Sequence, residues 1–362
     1  MLNRNLSLKQ IAGGVIAAGL MFGMGSAHAS VARMEGSIVT PTITSGALPD
    51  TPGAHVDPNV ASSKYSGVVS INIRYDGQSF ICSGAMIAKR SVMTAGHCVD
   101  TAGNGTYVDL KKPGTDVRVI FNNNGAKYDL IAATKVDVHA GYQGFNNCPD
   151  GTRGCVNDDV AVLTLAADAP ASAKIYKVAV NPLSEGTHIT MAGYGTSGDG
   201  TRGYYISPSF FTKRTGENVI DLFDLDDEQG FAAGKKEVYY ADFDGAGRDT
   251  FCTYFGVCTD ILPNDRESGI GGGDSGGPSF VNMYGELMIV ANNTFSGRFT
   301  SLGYAEGSFG TYFGGMLMSG YGDFLHTATD GRVSLVPEPT SIALLGLGAL
   351  MIGGARRRKQ QK

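Results

Sequence analysis

The sequence lacks any long segment in which apolar residues recur at the period of an amphipathic helix. It also has no internal repeat at the spacing of solenoids or propellers, which argues against those architectures. There is no tryptophan, and only 17% of the 362 residues are charged. The hydrophobic fraction is nevertheless 42%, so the chain can bury a substantial core. We therefore expect a globular protein with few helices.

Positive charge is also scarce. The formal net charge is −5, and the basic residues near both ends leave the intervening body more acidic still. Binding to the phosphates of a nucleic acid requires a basic surface. The charge balance therefore argues against nucleic acid as a partner.

The N-terminal residues 1–29 have the three parts of a signal peptide. A short basic start precedes an apolar run from Ile11 to Met24, and Ala27-His28-Ala29 supplies an A-x-A cleavage site. The apolar run is short for a membrane span, so a permanent anchor is the weaker alternative. The pattern predicts export and removal by signal peptidase.

The C-terminal residues 335–362 combine Val336-Pro337-Glu338-Pro339, a short apolar stretch and a basic cluster at 356–359. This arrangement resembles the PEP-CTERM sorting tail of Gram-negative bacteria. The resemblance implies export across the inner membrane to the envelope, the cell surface or the medium. It also implies transient membrane insertion through the tail and cleavage by an exosortase-type enzyme. A simple C-terminal anchor is the alternative.

The six cysteines show no C-x-x-C spacing and no cluster with histidine, so we expect no zinc or other metal site. In an exported protein an even number of cysteines indicates disulfides, although six cysteines allow many pairings. Short separations along the chain favour neighbours. The pairs expected are Cys82–Cys98, Cys148–Cys155 and Cys252–Cys258.

The texture of the sequence changes along its length. Residues 30–63 are rich in Pro, Gly, Ser and Thr, which predicts a propeptide or an N-terminal extension. From Gly67 onward, short runs of strand length alternate with Gly-rich turns, which indicates an all-β sandwich or barrel. One short helix is expected at Ser319–Thr329. The expected strands are Val68–Tyr75, Ser79–Ile87, Asp116–Phe121, Tyr128–Val138, Val160–Leu165, His188–Ala192, Glu237–Phe243, Pro278–Val281 and Glu286–Asn292.

Two short motifs carry catalytic chemistry. Ser275 lies within the run GGGDSGGP at 271–278, where glycines let the backbone turn sharply and offer its N–H groups. Serine is a weak nucleophile and needs a base. The run TAGHC at 94–98 supplies one in His97.

Taken together, GDSGGP and TAGHC resemble the trypsin/chymotrypsin family of serine peptidases. The resemblance implies a peptidase domain at 64–332, made of two six-stranded antiparallel β-barrels and a short C-terminal helix. In that family the acid lies between the histidine and the serine along the chain. The run NDDVAVL at 157–163 resembles the family's N-D-I-A-L-L pattern, which selects Asp159 over its neighbour Asp158.

The resemblance also implies a role for each residue of the site. Ser275 attacks the substrate carbonyl, His97 transfers the proton and Asp159 orients the imidazole. The backbone N–H groups of Gly273 and Ser275 form the oxyanion hole, and no cofactor is needed. Asp274 would pair with a newly cut N-terminal amine. That N-terminus is expected at Ile38 or Val56.

The region of the substrate pocket departs from the family pattern. Gly269 occupies the position that often forms the pocket floor, and Asn292 replaces a tryptophan of the pocket wall. These two residues and Asn293 are the candidates for contacting the substrate side chain. A glycine floor provides no counter-charge for a basic substrate, so the side-chain preference stays open. A shift in register would bring Asp265 or Glu267 there instead.

The remaining candidate groups receive ordinary structural interpretations. One acidic cluster begins like a calcium-binding loop, but Gln229 replaces the required glycine, and a solvated loop is the favoured interpretation. That cluster consists of Asp221, Asp224, Asp226, Asp227 and Glu228. Four further histidines are expected to be structural or exposed. They are His55, His139, His188 and His326.

The function predicted from the sequence is that of an exported serine endopeptidase, which hydrolyses protein or peptide substrates through an acyl-enzyme. One alternative is a catalytically inactive protease-fold binding or adhesion protein of the cell envelope. The altered pocket favours this alternative, and the complete triad argues against it. An esterase that uses the same triad is a second alternative.

Overall fold

Short strands are the main regular secondary structure of this computed structural model, which describes residues 43–125, 127–145, 157–229 and 233–337. The signal peptide, the PEP-CTERM apolar stretch and the expected Cys148–Cys155 pair lie outside the described residues. The strands are β1 (Val68–Tyr75), β2 (Gln78–Ala88), β3 (Ser91–Thr94), β4 (Asp116–Asn124), β5 (Lys127–Val138), β6 (Ala161–Leu165), β7 (Val178–Ala179), β8 (His188–Gly193), β9 (Ser197–Asp199), β10 (Gly203–Ile206), β11 (Arg214–Val219), β12 (Leu222–Leu225), β13 (Lys236–Asp242), β14 (Pro278–Met283), β15 (Glu286–Asn292), β16 (Phe295–Gly297), β17 (Tyr312–Met316) and β18 (Leu335–Val336).

The first six strands form a closed antiparallel barrel in the order β1-β2-β3-β6-β5-β4. Side chains alternate between the two faces of a strand, so every second residue of β1 points into the barrel. These residues are Val69, Ile71 and Ile73, and each is fully buried in one apolar cluster. The first predicted barrel is therefore confirmed.

The second half of the chain is arranged differently from a second closed barrel. Its strands form a six-stranded sheet (β11-β8-β14-β15-β7-β18), a four-stranded sheet (β12-β13-β17-β16) and a two-stranded ribbon (β10-β9). Strand β7 pairs in parallel with β15 and β18. The two larger sheets meet where β15 ends. There Ala291 forms an isolated bridge to Leu317, and the Asn292 side chain accepts a hydrogen bond from the Met316 N–H at 3.0 Å.

Two short α-helices belong to this second half. Helix α1 (Thr250–Phe255) begins at Asp249, whose carboxylate accepts the Cys252 N–H at 2.8 Å, and ends at the left-handed Gly256. Helix α2 (Met318–Ala328) buries Tyr321 and Leu325 against the core, which confirms the predicted C-terminal helix. Within the described part of the chain, no helix is long and apolar enough to cross a membrane.

Residues 43–63, part of the predicted propeptide or N-terminal extension, pack against the second half of the chain. Ile43 is fully buried, and the Thr44 N–H donates a hydrogen bond to the Gly269 carbonyl at 3.2 Å. Farther along, the buried His55 and Asp50 form a 2.8 Å pair. Backbone hydrogen bonds and polar pairs hold this segment in place. Such contacts produce no periodic pattern of apolar residues, so the packing could not be predicted from the sequence.

Candidate active site

His97 sits on a single 3-10 turn, Gly96–Cys98, directly after strand β3. The Cys82–Cys98 disulfide ties this turn to β2, as expected from the sequence. The imidazole is fully buried, and the ring of Phe145 meets it edge-on at 5.0 Å. The turn, the disulfide and the aromatic contact together restrict the ring to one orientation.

Asp159 holds this ring through both of its carboxylate oxygens. Oδ2 lies 2.6 Å from His97 Nδ1, and Oδ1 accepts the His97 backbone N–H at 2.7 Å. The neighbouring Asp158 instead pairs with His139 at 2.7 Å. Because Nδ1 faces a carboxylate, the neutral ring carries its proton there and Nε2 is the basic nitrogen. The two adjacent acids therefore serve different histidines.

The loop that carries Ser275 packs directly on the turn that carries His97. The Ser275 carbonyl accepts the Ser83 N–H at 2.9 Å and lies 3.5 Å from the Cys98 sulfur. Gly276 has φ of +78°, and a Cβ there would lie 2.1 Å from Thr94 Oγ1. Only glycine permits this approach. The fold thus brings the two motifs together although they are far apart in the chain.

The oxyanion-hole candidates lie in the same loop. Gly273 adopts φ of +96°, and a Cβ there would lie 2.7 Å from the Gly195 Cα. Its carbonyl accepts the Ser83 hydroxyl at 2.7 Å, which fixes the peptide plane between Gly273 and Asp274. The Gly273 N–H donates no hydrogen bond within the part of the chain that the structure describes. This arrangement is compatible with a donor kept for a ligand.

Asp274 is fully buried beneath the loop and accepts three backbone N–H groups. They belong to Gly195 at 3.3 Å, Gly271 at 3.4 Å and Ile43. Burial raises the pKa of Asp274 to about 7, although the hydrogen bonds act in the opposite direction. The contact with Ile43 was missed from the sequence, which offered only Ile-Val pairs as a signal. Val56 is instead 41% exposed and bridges to Arg214, and Ile38 lies outside the described residues.

Asn292 links the acid of the site to the second half of the protein. Its amide nitrogen donates to the Asp159 carbonyl at 2.9 Å, while its oxygen accepts from Met316 and from Thr294. The side chain is fully buried and both of its ends are engaged. In this structure it therefore supports Asp159 instead of offering a polar group to a substrate.

The other two pocket candidates are buried as well. Asn293 accepts the Ser279 hydroxyl at 2.8 Å, and its backbone carbonyl accepts the Gly276 N–H at 2.7 Å. Gly269 lies against Thr44, whose hydroxyl would be 3.2 Å from a Cβ at that position. Glu267 turns away toward Asn218, which it contacts at 2.7 Å, and Asp265 is exposed. Of these residues, Asn293 contacts the Ser275 loop directly, and neither acid lies at the position of Gly269.

The acidic cluster is only partly the solvated loop that was expected. Asp221 and Asp224 are each 3% exposed, and Asp224 accepts the Tyr240 hydroxyl at 2.6 Å. Asp226 and Asp227 are half-buried, and Glu228 is exposed. The interpretation is wrong for Asp221, just before β12, and for Asp224, within it, because this segment pairs with β13 and both side chains are buried. Among the histidines, His55 is buried, whereas His188 and His326 are exposed.

Comparison with known proteins adds independent support. Residues 57–213 match the sequence profile of the family described as Trypsin, and residues 335–359 match the PEP-CTERM protein-sorting motif. This family match covers less than half of the chain. The matched region contains His97 and Asp159, while Ser275 follows beyond its end. The closed barrel and the further sheets are those of a chymotrypsin-like fold, and the sorting motif implies export to the envelope of a Gram-negative bacterium.

Two curated proteins resemble this chain over a limited length. Brachyurin of Leptuca pugilator is 27% identical over 126 residues, which is 34% of this chain and 49% of that protein. A "Trypsin-like protease" of Streptomyces glaucescens is 31% identical over 119 residues, or 33% of this chain and 37% of that protein. The match thus spans at most about half of these relatives. They support a hydrolase of the serine protease type.

Proposed function

We propose that this protein is an exported serine endopeptidase whose catalytic triad is His97, Asp159 and Ser275. The observation that carries the proposal is the two-point contact between Asp159 and His97, on a turn that packs against the backbone of Ser275. An acid that holds both the ring and the backbone of a histidine prepares that histidine to act as a base.

The proposed reaction proceeds in two halves. His97 Nε2 takes the proton of the Ser275 hydroxyl as its oxygen forms a bond to the substrate carbonyl carbon. The resulting oxyanion accepts hydrogen bonds from the N–H groups of Gly273 and Ser275. The imidazolium, stabilised by Asp159, then protonates the leaving amine as the C–N bond breaks. Water repeats the sequence on the acyl-enzyme, which releases the acid product and restores Ser275.

The first experiment is labelling of the exported protein with a fluorophosphonate probe, followed by peptide mapping. We expect one label on Ser275, and none in a Ser275→Ala variant of the same preparation. A Ser91→Ala variant, which removes a buried serine of β3 outside the site, is the matched control and should be labelled normally. An unlabelled wild-type protein would favour the inactive binding protein, for which the engaged side chain of Asn292 is the supporting observation.

Substrate class requires a second comparison. An endopeptidase should digest an unbiased peptide library, whereas an esterase with the same triad should hydrolyse activated esters only. We expect cleavage of peptides, with a preference that need not be for basic residues because Gly269 supplies no charge. Ester hydrolysis without cleavage of any library member would replace the endopeptidase proposal with the esterase.

We further propose that maturation cuts the chain between Thr42 and Ile43. The support is the contact of the Ile43 backbone with the buried Asp274, since the same place would hold an α-ammonium after the cut. A charge opposite to Asp274 would lower the pKa of that carboxyl and strengthen the contact. N-terminal sequencing of the active form should begin at Ile43. Full activity in a form that begins at Ser30 would contradict this step.

Processing at the other end follows from the sorting motif. We propose that an exosortase-type enzyme recognises residues 335–359 after the tail has inserted transiently into the membrane. Signal peptidase would act at the N-terminal end. Mass spectrometry of the exported protein should find a C-terminus that precedes the apolar stretch, and an intact tail on all exported molecules would instead indicate a simple anchor.

A further inference from the structure

Three carboxylates converge at the turn that joins β13 to α1. One oxygen from each of Asp242, Asp244 and Asp249 lies within 4.8 Å of the others. Asp242 is 1% exposed and Asp244 is 6% exposed, so two of the three acids are almost completely removed from water. This turn follows the acidic cluster at 221–228 in the chain and was not predicted from the sequence.

Two more buried acids border the turn. Asp221 accepts the Asp242 N–H at 3.0 Å, and Glu267 accepts the Asp244 N–H at 3.4 Å. Both are at most 3% exposed. Within the described part of the chain, none of these five acids forms an ion pair with a lysine, an arginine or a histidine. The only base in the turn, Arg248, points elsewhere, to the Phe309 carbonyl at 2.9 Å.

The hydrogen bonds of the turn leave one oxygen without a partner. Asp242 Oδ2 accepts the N–H groups of Thr250 and Phe251, each at 2.8 Å, and Asp249 Oδ1 caps α1 through Cys252. Asp244 Oδ1, in contrast, is buried and accepts no hydrogen bond. A buried carboxylate oxygen without a donor is costly unless a cation coordinates it. This orphaned oxygen belongs to the group that faces the other two acids.

We propose that this turn binds a calcium ion through the carboxylates of Asp242, Asp244 and Asp249. Calcium takes oxygen ligands at 2.3–2.6 Å, so oxygens on opposite sides of the ion are separated by roughly 5 Å. The three oxygens lie within 4.8 Å of one another, close enough for one calcium ion to contact all of them. Magnesium requires ligands at 2.0–2.1 Å and therefore a tighter group. The site contains no nitrogen or sulfur ligand of the kind that zinc prefers.

The position of the turn links the ion to the Ser275 loop. Phe243 lies between two of the ligands, and a Cβ on Gly269 would approach its ring to 3.5 Å. Glu267 connects the turn to the segment that leads into 271–275. A bound ion would therefore hold together the β13–α1 turn and the segment before the nucleophile. This site does not depend on whether the protein is an active peptidase.

The test uses the full-length exported protein with Ser275→Ala, which removes self-cleavage, after treatment with a chelator. Calcium is titrated by calorimetry, and thermal unfolding is followed with and without the ion. We expect a Kd on the order of 10⁻⁴–10⁻³ M or tighter, as in extracellular calcium modules, and a higher Tm with calcium.

Matched variants assign the ion to the turn. Asp244→Asn keeps the shape of the side chain and removes its charge, and we expect it to weaken binding by about tenfold or more. Asp265→Asn, an exposed acid nearby, should bind as the parent protein does. Asp249→Asn retains the cap of α1, so it serves if Asp244→Asn unfolds. No binding heat in the parent, unchanged affinity in both ligand variants, or equal affinity for magnesium would overturn the proposal.

Discussion

In the first barrel, β1–β6 close a single sheet around an apolar interior, whereas the second half divides its strands among several sheets and buries several ionisable acids. The acids whose pKa is raised by burial, within the described residues, all lie in this second half. They are Asp221, Asp224, Glu228, Glu237, Asp242, Asp244, Glu267 and Asp274.

The difference between the two halves shows which part of the molecule can be stabilised by alternating apolar residues alone. Alternating apolar residues suffice for a closed barrel, because every inward side chain gains from leaving water. Buried acids are unfavourable unless hydrogen bonds, cations or protons compensate them. The second half therefore depends on specific partners, such as the N–H groups on Asp274. The second half also contains the Ser275 loop, beneath which the buried charge-bearing group Asp274 lies.

The largest expected effect tests whether the two halves act as one catalytic unit. His97 belongs to the first barrel and Ser275 to the second half. We expect His97→Ala and Ser275→Ala each to lower kcat by roughly 10⁴–10⁶-fold, and the double variant to be no worse than either. Kinetics on a peptide selected from the library would measure this, with unfolding curves as the control for folding. Losses that multiply in the double variant would contradict a shared mechanism.

The next prediction separates the two adjacent acids. Asp159→Asn should lower kcat by about 10⁴-fold, because the amide favours the wrong tautomer of His97. Asp158→Asn changes the partner of His139 and should cause a much smaller loss. Asp and Asn have nearly the same shape, so each variant is a control for the other. If both variants lowered kcat equally with the same peptide, Asp159 would have no special role in catalysis, and the sequence pattern would not identify the catalytic acid.

A buried ion pair sharpens the comparison of stabilities. Lys213 is 1% exposed and lies 3.0 Å from Asp57, whereas Lys135 of the first barrel pairs with Asp137 at 2.9 Å in water. Lys213→Met should reduce the free energy of unfolding by about 3–5 kcal/mol, because Asp57 is left buried and unpaired. Lys135→Met should cost less than about 1 kcal/mol.

Urea unfolding in the Ser275→Ala background measures both changes. Adding Asp57→Asn to Lys213→Met should recover much of the loss, since the uncompensated charge is then gone. If the two lysine variants cost the same, buried charge would not distinguish the halves, and the comparison drawn above would fail.

The smallest effect concerns pH. The folded-state pKa of Asp274 is about 7, above its ordinary value of 3.8, so the uncut protein favours the protonated carboxyl. The stabilising contribution of the protonated carboxyl is fully present below about pH 4 and is lost as pH rises through 7. The total cost is about 4 kcal/mol, of which about 3 kcal/mol falls between pH 5 and pH 8. Unfolding at pH 5 and pH 8 should therefore show a smaller difference in Asp274→Asn. If the difference in the free energy of unfolding between pH 5 and pH 8 were unchanged in Asp274→Asn, Asp274 would not be the source of the pH dependence.

Much of the first barrel could be predicted from the sequence. The strand at Val68–Tyr75 has the predicted bounds, because its apolar alternation is uninterrupted. Helix α1 escaped prediction since six residues are too few for a period, and its ends rest on one Asp cap and one left-handed glycine. The separate sheets of the second half depend on contacts such as that of Asn292 with Met316, which link distant positions.

The candidate site divides in the same way. His97 and Ser275 lie in short motifs whose chemistry is local, and the contact with His97 agrees with the choice of Asp159. The role of Ile43 depends on its meeting Asp274, which is 231 positions away in the chain and is seen only in three dimensions. The turn at Asp244 was overlooked for the same reason, since burial cannot be read from an acidic residue in a glycine-rich stretch.

The amide of Asn292 has a mechanical consequence. One end grips the Asp159 carbonyl of the first barrel, and the other grips β17 of the second half. Any sliding of one half over the other is therefore transmitted to the acid that aligns His97. If the proposed triad operates, its alignment depends on how the two halves pack against each other. A substitution far from Ser275 that shifts this packing then lowers activity without changing any of the three proposed catalytic residues.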